Sequence, residues 1–183
     1  MSRKVAVIVG SLREGSYNRK LAKALTEVAP EGLEFDFVEI GDLPLYNPDL
    51  DEGTPPAPWS RFRSQMKSAE AVLFVTPEYN RGLPAAVKNA LDVGSRPYGD
   101  SIWDGKPTAV VTGSPGGPGG FGANHQLRQS MVFLNMHPLQ QPEAYIGNIM
   151  KLISEDGEVQ NEDTKKFLGT IMSAFAELIE KHV

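Results

Sequence analysis

Residues 5–9 read Val-Ala-Val-Ile-Val and stop at Gly10, and no other stretch of this chain restricts its fold so strongly. A short, unbroken apolar run has no polar face to show to water, so it reads as a strand buried on both sides of a parallel sheet. Such a strand needs helices above and below it. The next segment supplies one: from Tyr17 onward Leu21, Ala22, Ala24, Leu25, Val28 and Ala29 fall at helical spacing, and Pro30 with Gly32 ends the run. The opening unit is therefore strand, polar loop, helix.

The unit recurs in kind. Residues 33–40 alternate as a second strand, 71–76 and 108–112 read as buried strands, and 139–141 as a short fifth one. Helical spacing covers 59–68, 84–93, 123–135 and 164–181, while 41–58 reads as a long Pro-, Asp- and Gly-rich loop. Alternation of this kind specifies an α/β fold, a doubly wound five-stranded parallel sheet with helices on both faces and right-handed crossovers. With 183 residues, 40% of them hydrophobic and 22% charged, the chain is expected to form one domain over 1–183.

Composition removes several classes of function. The formal net charge is −5 without a block of like charges, which argues against nucleic-acid partners and against a basic membrane contact. No apolar run is long enough for a membrane span, and the amino-terminal residues lead straight into the first strand rather than into a signal-peptide core, so a cytoplasmic setting is expected. The chain has no cysteine, which excludes disulfides, thiolate metal sites and a cysteine nucleophile. Its three histidines, His125, His137 and His182, show no metal-binding spacing, so no metal site is expected. Redox chemistry in such a chain has to be carried by a cofactor.

In a doubly wound sheet the ligand lies beyond the carboxyl ends of the strands, so the loops after the first, third and fourth strands matter most. The first contains Ser11, Arg13, Ser16, Tyr17 and Asn18 at a helix start, where unpaired N–H groups and the helix dipole favour an anion. Ser16 or Asn18 alone also reads as an ordinary cap. A triphosphate loop would need a Gly-Lys-Ser or Gly-Lys-Thr ending, which is absent, and the few glycines suit a phosphate monoester better than a pyrophosphate. The second loop offers Pro77, Glu78, Tyr79, Asn80, Arg81 and Gly82: a stiff turn with free amides, an aromatic face and a guanidinium, suited to a flat heteroaromatic ring or, more plainly, to a turn. The third holds Gly117, Gly119 and Gly122 in the spacing of a dinucleotide fingerprint, but Pro115 and Pro118 interrupt it and it does not follow the first strand. It reads as backbone bordering a bound ring, or as a mobile surface loop.

Taken together, "GSLREGSYNRKLA", "TPEYNRGLPAAVKNALD" with "GSRPYG", and "GGFGANHQLRQ" with "PEAYIG" resemble the NADPH-dependent FMN reductase family of flavodoxin-like proteins, within it the bacterial chromate, quinone and ferric reductase branch. The resemblance covers nearly the whole chain. It implies bound FMN, with NADPH or NADH as hydride donor and quinones, chromate, ferric complexes or azo dyes as small-molecule acceptors. It also implies a homodimer or homotetramer. By the same resemblance Ser11, Arg13, Ser16, Tyr17 and Asn18 hold the FMN phosphate, Pro77, Glu78, Tyr79 and Asn80 line the isoalloxazine, and Ser114, Gly116 and Gly117 border its other edge. Arg128 and Glu143 stand where subunits could share them, an intrachain pair being equally admissible. Arg81 and Arg96 are expected to flank the ring, where cationic charge favours its reduced, anionic form and attracts anionic acceptors. A flavodoxin-type electron carrier and a flavin-binding regulatory module, with the 41–58 loop as a partner surface, are the rival readings.

Overall fold

Strand β1 (Arg3–Val9) places Val5, Val7 and Val9 in one hydrophobic cluster and Ala6 and Ile8 in another, as the two-residue period of a doubly covered strand requires. The computed structural model describes residues 2–183. The first face of the sheet is covered by α1 (Tyr17–Glu27), through Leu21, Ala22, Ala24 and Leu25, and by the long carboxyl-terminal α7 (Glu162–His182), through Leu168, Ile171, Met172, Phe175 and Ile179. The second face is covered by α3 (Ala57–Ser68), α4 (Ala85–Gly94) and α5 (Phe121–Phe133), with Trp59, Phe62 and Met66, then Val87, Ala90, Leu91 and Val93, then Leu127 and Met131.

The remaining strands are β2 (Leu33–Val38), β3 (Ala71–Thr76), β4 (Pro107–Gly113), β5 (His137–Pro138) and β6 (Ala144–Ile146). All pair in parallel, in the order β2-β1-β3-β4-β5, and β6 also pairs with β4. This is the flavodoxin order, whose switch point lies between β1 and β3. The fifth position of the sheet is shared. His137 and Pro138 face the start of β4, and Ala144, Tyr145 and Ile146 face its end. The strand expected at 139–141 is thus the interruption between two pieces. Leu139 N–H still donates to Thr108 O at 2.7 Å, but Pro138 and Pro142 on either side have no N–H to give, and the ladder breaks.

Two further short helices, α2 (Pro48–Asp51) and α6 (Ile149–Leu152), were not marked by periodicity. The first lies within the 41–58 loop, which is bound down rather than loose. Trp59 Nε1 donates to Pro44 O (3.0 Å), Asn89 Nδ2 to Leu43 O and Pro44 O (3.1 and 3.0 Å), and Tyr46 N–H to Asn89 Oδ1 (2.8 Å). Arg63 grips Asp51 with two 2.7 Å bonds, donates to Val93 O at 3.0 Å and lies over the Trp59 ring. Among the described residues no helix is long and apolar enough to cross a membrane.

Candidate functional site

β1 hands the chain to α1 through residues 10–16, and Gly10 fixes where that loop runs. A Cβ there would lie 2.0 Å from Thr76 Oγ1 and 2.7 Å from Val87 Cγ2, so only glycine lets the loop pass against the end of β3. Beyond it, among the described residues, none of the backbone N–H groups from Ser11 to Asn18 makes a hydrogen bond. Ser16 caps α1, its Oγ accepting from Arg19 N–H at 3.3 Å, and α1 carries no acidic residue in its first turn. Unspent donors and an uncompensated dipole give this end of α1 the features that suit an anion.

A cleft of about 200 Å³ opens over that end of α1. It is lined by Ser11, Arg13, Ser16, Tyr17 and Asn18 from the first loop, Pro77, Glu78 and Tyr79 from the second, and Gly113, Ser114 and Pro115 from the third, with Ile149 of α6. The structure therefore brings together nine of the expected site residues: Ser11, Arg13, Ser16, Tyr17, Asn18, Pro77, Glu78, Tyr79 and Ser114. Asn80, Arg81, Gly116 and Gly117 stand outside the lining. Ile149 was missed because it follows the unforeseen strand β6, and Gly113 and Pro115 because they have no polar side chain to signal a ligand.

Several of these residues do work other than the expected one. Asn18 is buried and spends its amide on the fold: Nδ2 donates to Gly113 O at 3.0 Å, tying the start of α1 to the end of β4, and Oδ1 is buried without a hydrogen bond. Glu78 Oε2 accepts from Ala123 N–H at 3.0 Å, capping α5, and Oε1 accepts from Arg81 Nη1 at 3.3 Å. The turn after it is closed by reciprocal 3.0 Å bonds between Tyr79 and Gly82, with Asn80 at φ 51° and Arg81 at φ 66°. That conformation leaves the Tyr79 ring half exposed at the mouth of the cleft and the Arg81 side chain 81% exposed.

The glycine-rich loop is neither a dinucleotide site nor loose. A Cβ on Gly119 would lie 2.5 Å from the Tyr145 backbone, and one on Gly122 would lie 2.8 Å from both Arg81 O and Glu78 Oε2. These glycines admit neighbouring protein, and Glu78 already occupies the helix start that a pyrophosphate would need. Ser114 is held from β6 and α6, its N–H donating to Ile146 O and its carbonyl accepting from Ile149 N–H. Beside the loop, Phe121, His125 and Tyr145 form an aromatic cluster in which the Tyr145 hydroxyl meets His125 Nε2 at 3.0 Å. Burial first, then the neighbouring Glu143 carboxylate, push that hydroxyl above the ordinary phenol value. Arg128 is spent within the chain on Asn124 Oδ1 and Leu139 O, both at 2.8 Å, rather than on Glu143. Arg96 does not flank the cleft. It lines a separate groove with Lys88, Asp92, Ser95, Phe133 and Leu134.

Sheet order and a cleft at the carboxyl ends of the strands define a protein of the flavodoxin-like class. The chain belongs to the NADPH-dependent FMN reductase family, whose model matches residues 3–151. It is 57% identical over 176 residues to a quinone reductase of Pseudomonas putida KT2440, covering 96% of this chain and 94% of that one. To a 2-hydroxy-1,4-benzoquinone reductase of a Burkholderia species it is 45% identical, with 96% of each chain covered. Among solved structures, the flavoenzyme NAD(P)H:(acceptor) oxidoreductase FerB of Paracoccus denitrificans superposes with a TM-score of 0.92 at 43% identity, covering 98% of each chain.

Proposed function

We propose that this reductase binds FMN in the cleft between the three loops and uses it to pass hydride from NADPH or NADH to small flat acceptors of the quinone class. The observation that carries the site is the run of unbonded amides from Ser11 to Asn18 opening onto an aromatic-rimmed cleft. In this reading those amides, with the Ser11 and Ser16 hydroxyls and the exposed Arg13 guanidinium, hold the phosphate. Pro77, Glu78 and Tyr79 border the ring through their backbone and the Tyr79 face, with Ser114 and Pro115 on the other edge. Asn80, Arg81, Gly116 and Gly117 act from the rim. FMN supplies the hydride-accepting chemistry, and the chain's part is to hold two flat molecules in register and keep water from between them.

The relatives named for quinones support that acceptor class over chromate or ferric complexes. The described residues form one sheet with a core on each face, which supports reading 1–183 as one domain. A homodimer or homotetramer is supported by the groove of about 250 Å³ between α4 and α5, beside which Val132, Phe133 and Tyr98 are 82%, 80% and 91% exposed. A dependence on the NAD(P)H pool supports a cytoplasmic setting.

The test is a visible spectrum of the protein after loading with FMN and removing the excess, followed by anaerobic NADPH, then NADH, then a quinone or chromate. Retained flavin absorbance that bleaches with either nucleotide and returns with quinone is the expected result. Retained flavin that does not bleach would leave an electron carrier instead, and light scattering on the same sample reads the oligomeric state.

A further inference from the structure

Resting on the reading of the cleft as the FMN site, we infer that Glu78 is a positioning residue, whose carboxylate fastens the ring-lining backbone of residues 77–79 to the amino end of α5. Its side chain is 9% exposed and makes two bonds, from Ala123 N–H at 3.0 Å and from Arg81 Nη1 at 3.3 Å. Helix α5 has no cap of its own, since Gly120 in its cap position has no side chain, so the carboxylate of Glu78 meets a helix start that needs an acceptor and favours negative charge. The same two segments meet again where Leu83 N–H donates to Gln126 Oε1 at 2.6 Å.

Gly122 is the third part of the joint. Its missing Cβ is what lets Arg81 O and Glu78 Oε2 sit 2.8 Å from where that atom would be. The turn at 79–82 places two non-glycine residues at positive φ, a conformation that persists only when its surroundings impose it. The surroundings that impose it are these contacts with α5. A ring site depends on backbone held to within about half an ångström, so loosening the joint is felt in the cleft although the carboxylate itself is spent on Ala123 and Arg81.

The experiment is FMN titration of the apoprotein, followed by quenching of flavin fluorescence, in five proteins: wild type, Glu78→Ala, Glu78→Gln, Gly122→Ala and Arg63→Ala. Glu78→Ala is expected to raise Kd about tenfold, the loss of one charge-assisted bond. Gly122→Ala should do the same by pushing the joint apart, although alanine favours the helix it sits in. Glu78→Gln, which still accepts from Ala123 N–H, should recover most of the affinity. Arg63→Ala lowers the melting temperature from a site outside the cleft and should leave Kd within about threefold. Wild-type affinity in either Glu78→Ala or Gly122→Ala would overturn the inference. So would weakening in all four variants in step with their melting temperatures. A wild-type protein that binds no FMN overturns the site reading itself, before any variant is compared.

Discussion

The loops at 10–16 and 41–58 look alike as sequence, polar and turn-rich, yet the structure uses them in opposite ways. In the longer loop the polar groups are spent inward: Asn89 holds Leu43, Pro44 and Tyr46, Trp59 holds Pro44, and Arg63 holds Asp51. In the shorter one, among the described residues, the backbone donors from Ser11 to Asn18 are left unspent beside a cleft. Leu12 to Gly15 are exposed, so their donors are free for water or a ligand, whereas a group turned into the fold has to be bonded within it. What marks one of the two loops as a site is the cleft: among the described residues the backbone donors of Asp42, Leu43 and Leu45 in the longer loop are unbonded too, but none of those residues lines it. The longer loop is thus held in place, while most of its residues, Leu45 among them at 76%, stay exposed.

The largest effect should come from the longer loop. Arg63→Ala leaves Asp51 uncompensated in a place where both side chains are about a tenth exposed, and should cost about 3 to 5 kcal/mol in denaturant unfolding. Retained FMN affinity in the folded protein would confirm that this loop is scaffold. Gly10→Ala should cost about 1 to 3 kcal/mol by overpacking against Thr76 and Val87, and should also release FMN during gel filtration. If that variant keeps its flavin, the position of the first loop does not depend on the close approach at Gly10.

Smaller effects refine the contrast. Ser16→Ala removes the cap of α1 and should lower stability by about 1 kcal/mol, with FMN dissociation rising more than the stability loss alone accounts for. Equal loss in both would make Ser16 a cap and no more. Arg81→Glu changes an exposed guanidinium that holds Glu78 at 3.3 Å, so unfolding should move by less than about 1 kcal/mol. Steady-state kcat/KM for anionic acceptors should fall several-fold at low salt and recover at high salt, because screening removes long-range attraction. A salt-independent loss would place Arg81 in direct contact with the acceptor.

How much of this was legible in the sequence depended on the range of the interaction. β1 and β3 were readable because burial on both faces leaves long apolar runs, β4 because Ala109, Val110 and Val111 keep a short one between two threonines, and α1 because its apolar face repeats along its length. The fifth sheet position was not, since two- and three-residue pieces carry no period and their pairing with β4 is decided by contacts across the sheet. α5 begins at Phe121, two residues before the expected start, because its cap comes from Glu78, 45 residues away.

The sequence by itself determined the layered sheet, the expectation of a ligand at its carboxyl end and the fact that any redox chemistry needs a borrowed group, since periodicity, the alternation of strands with helices and the absence of cysteine are local or compositional facts. Tertiary structure alone decided which residues face the cleft. It turned Asn18 toward Gly113, Glu78 toward α5, Arg128 toward Leu139 and Arg96 into another groove, and it brought in Ile149. The reason is that a polar side chain bonds whichever partner the fold sets within about 3 Å, and that partner is chosen by packing far along the chain, where residue type and spacing carry no record of it.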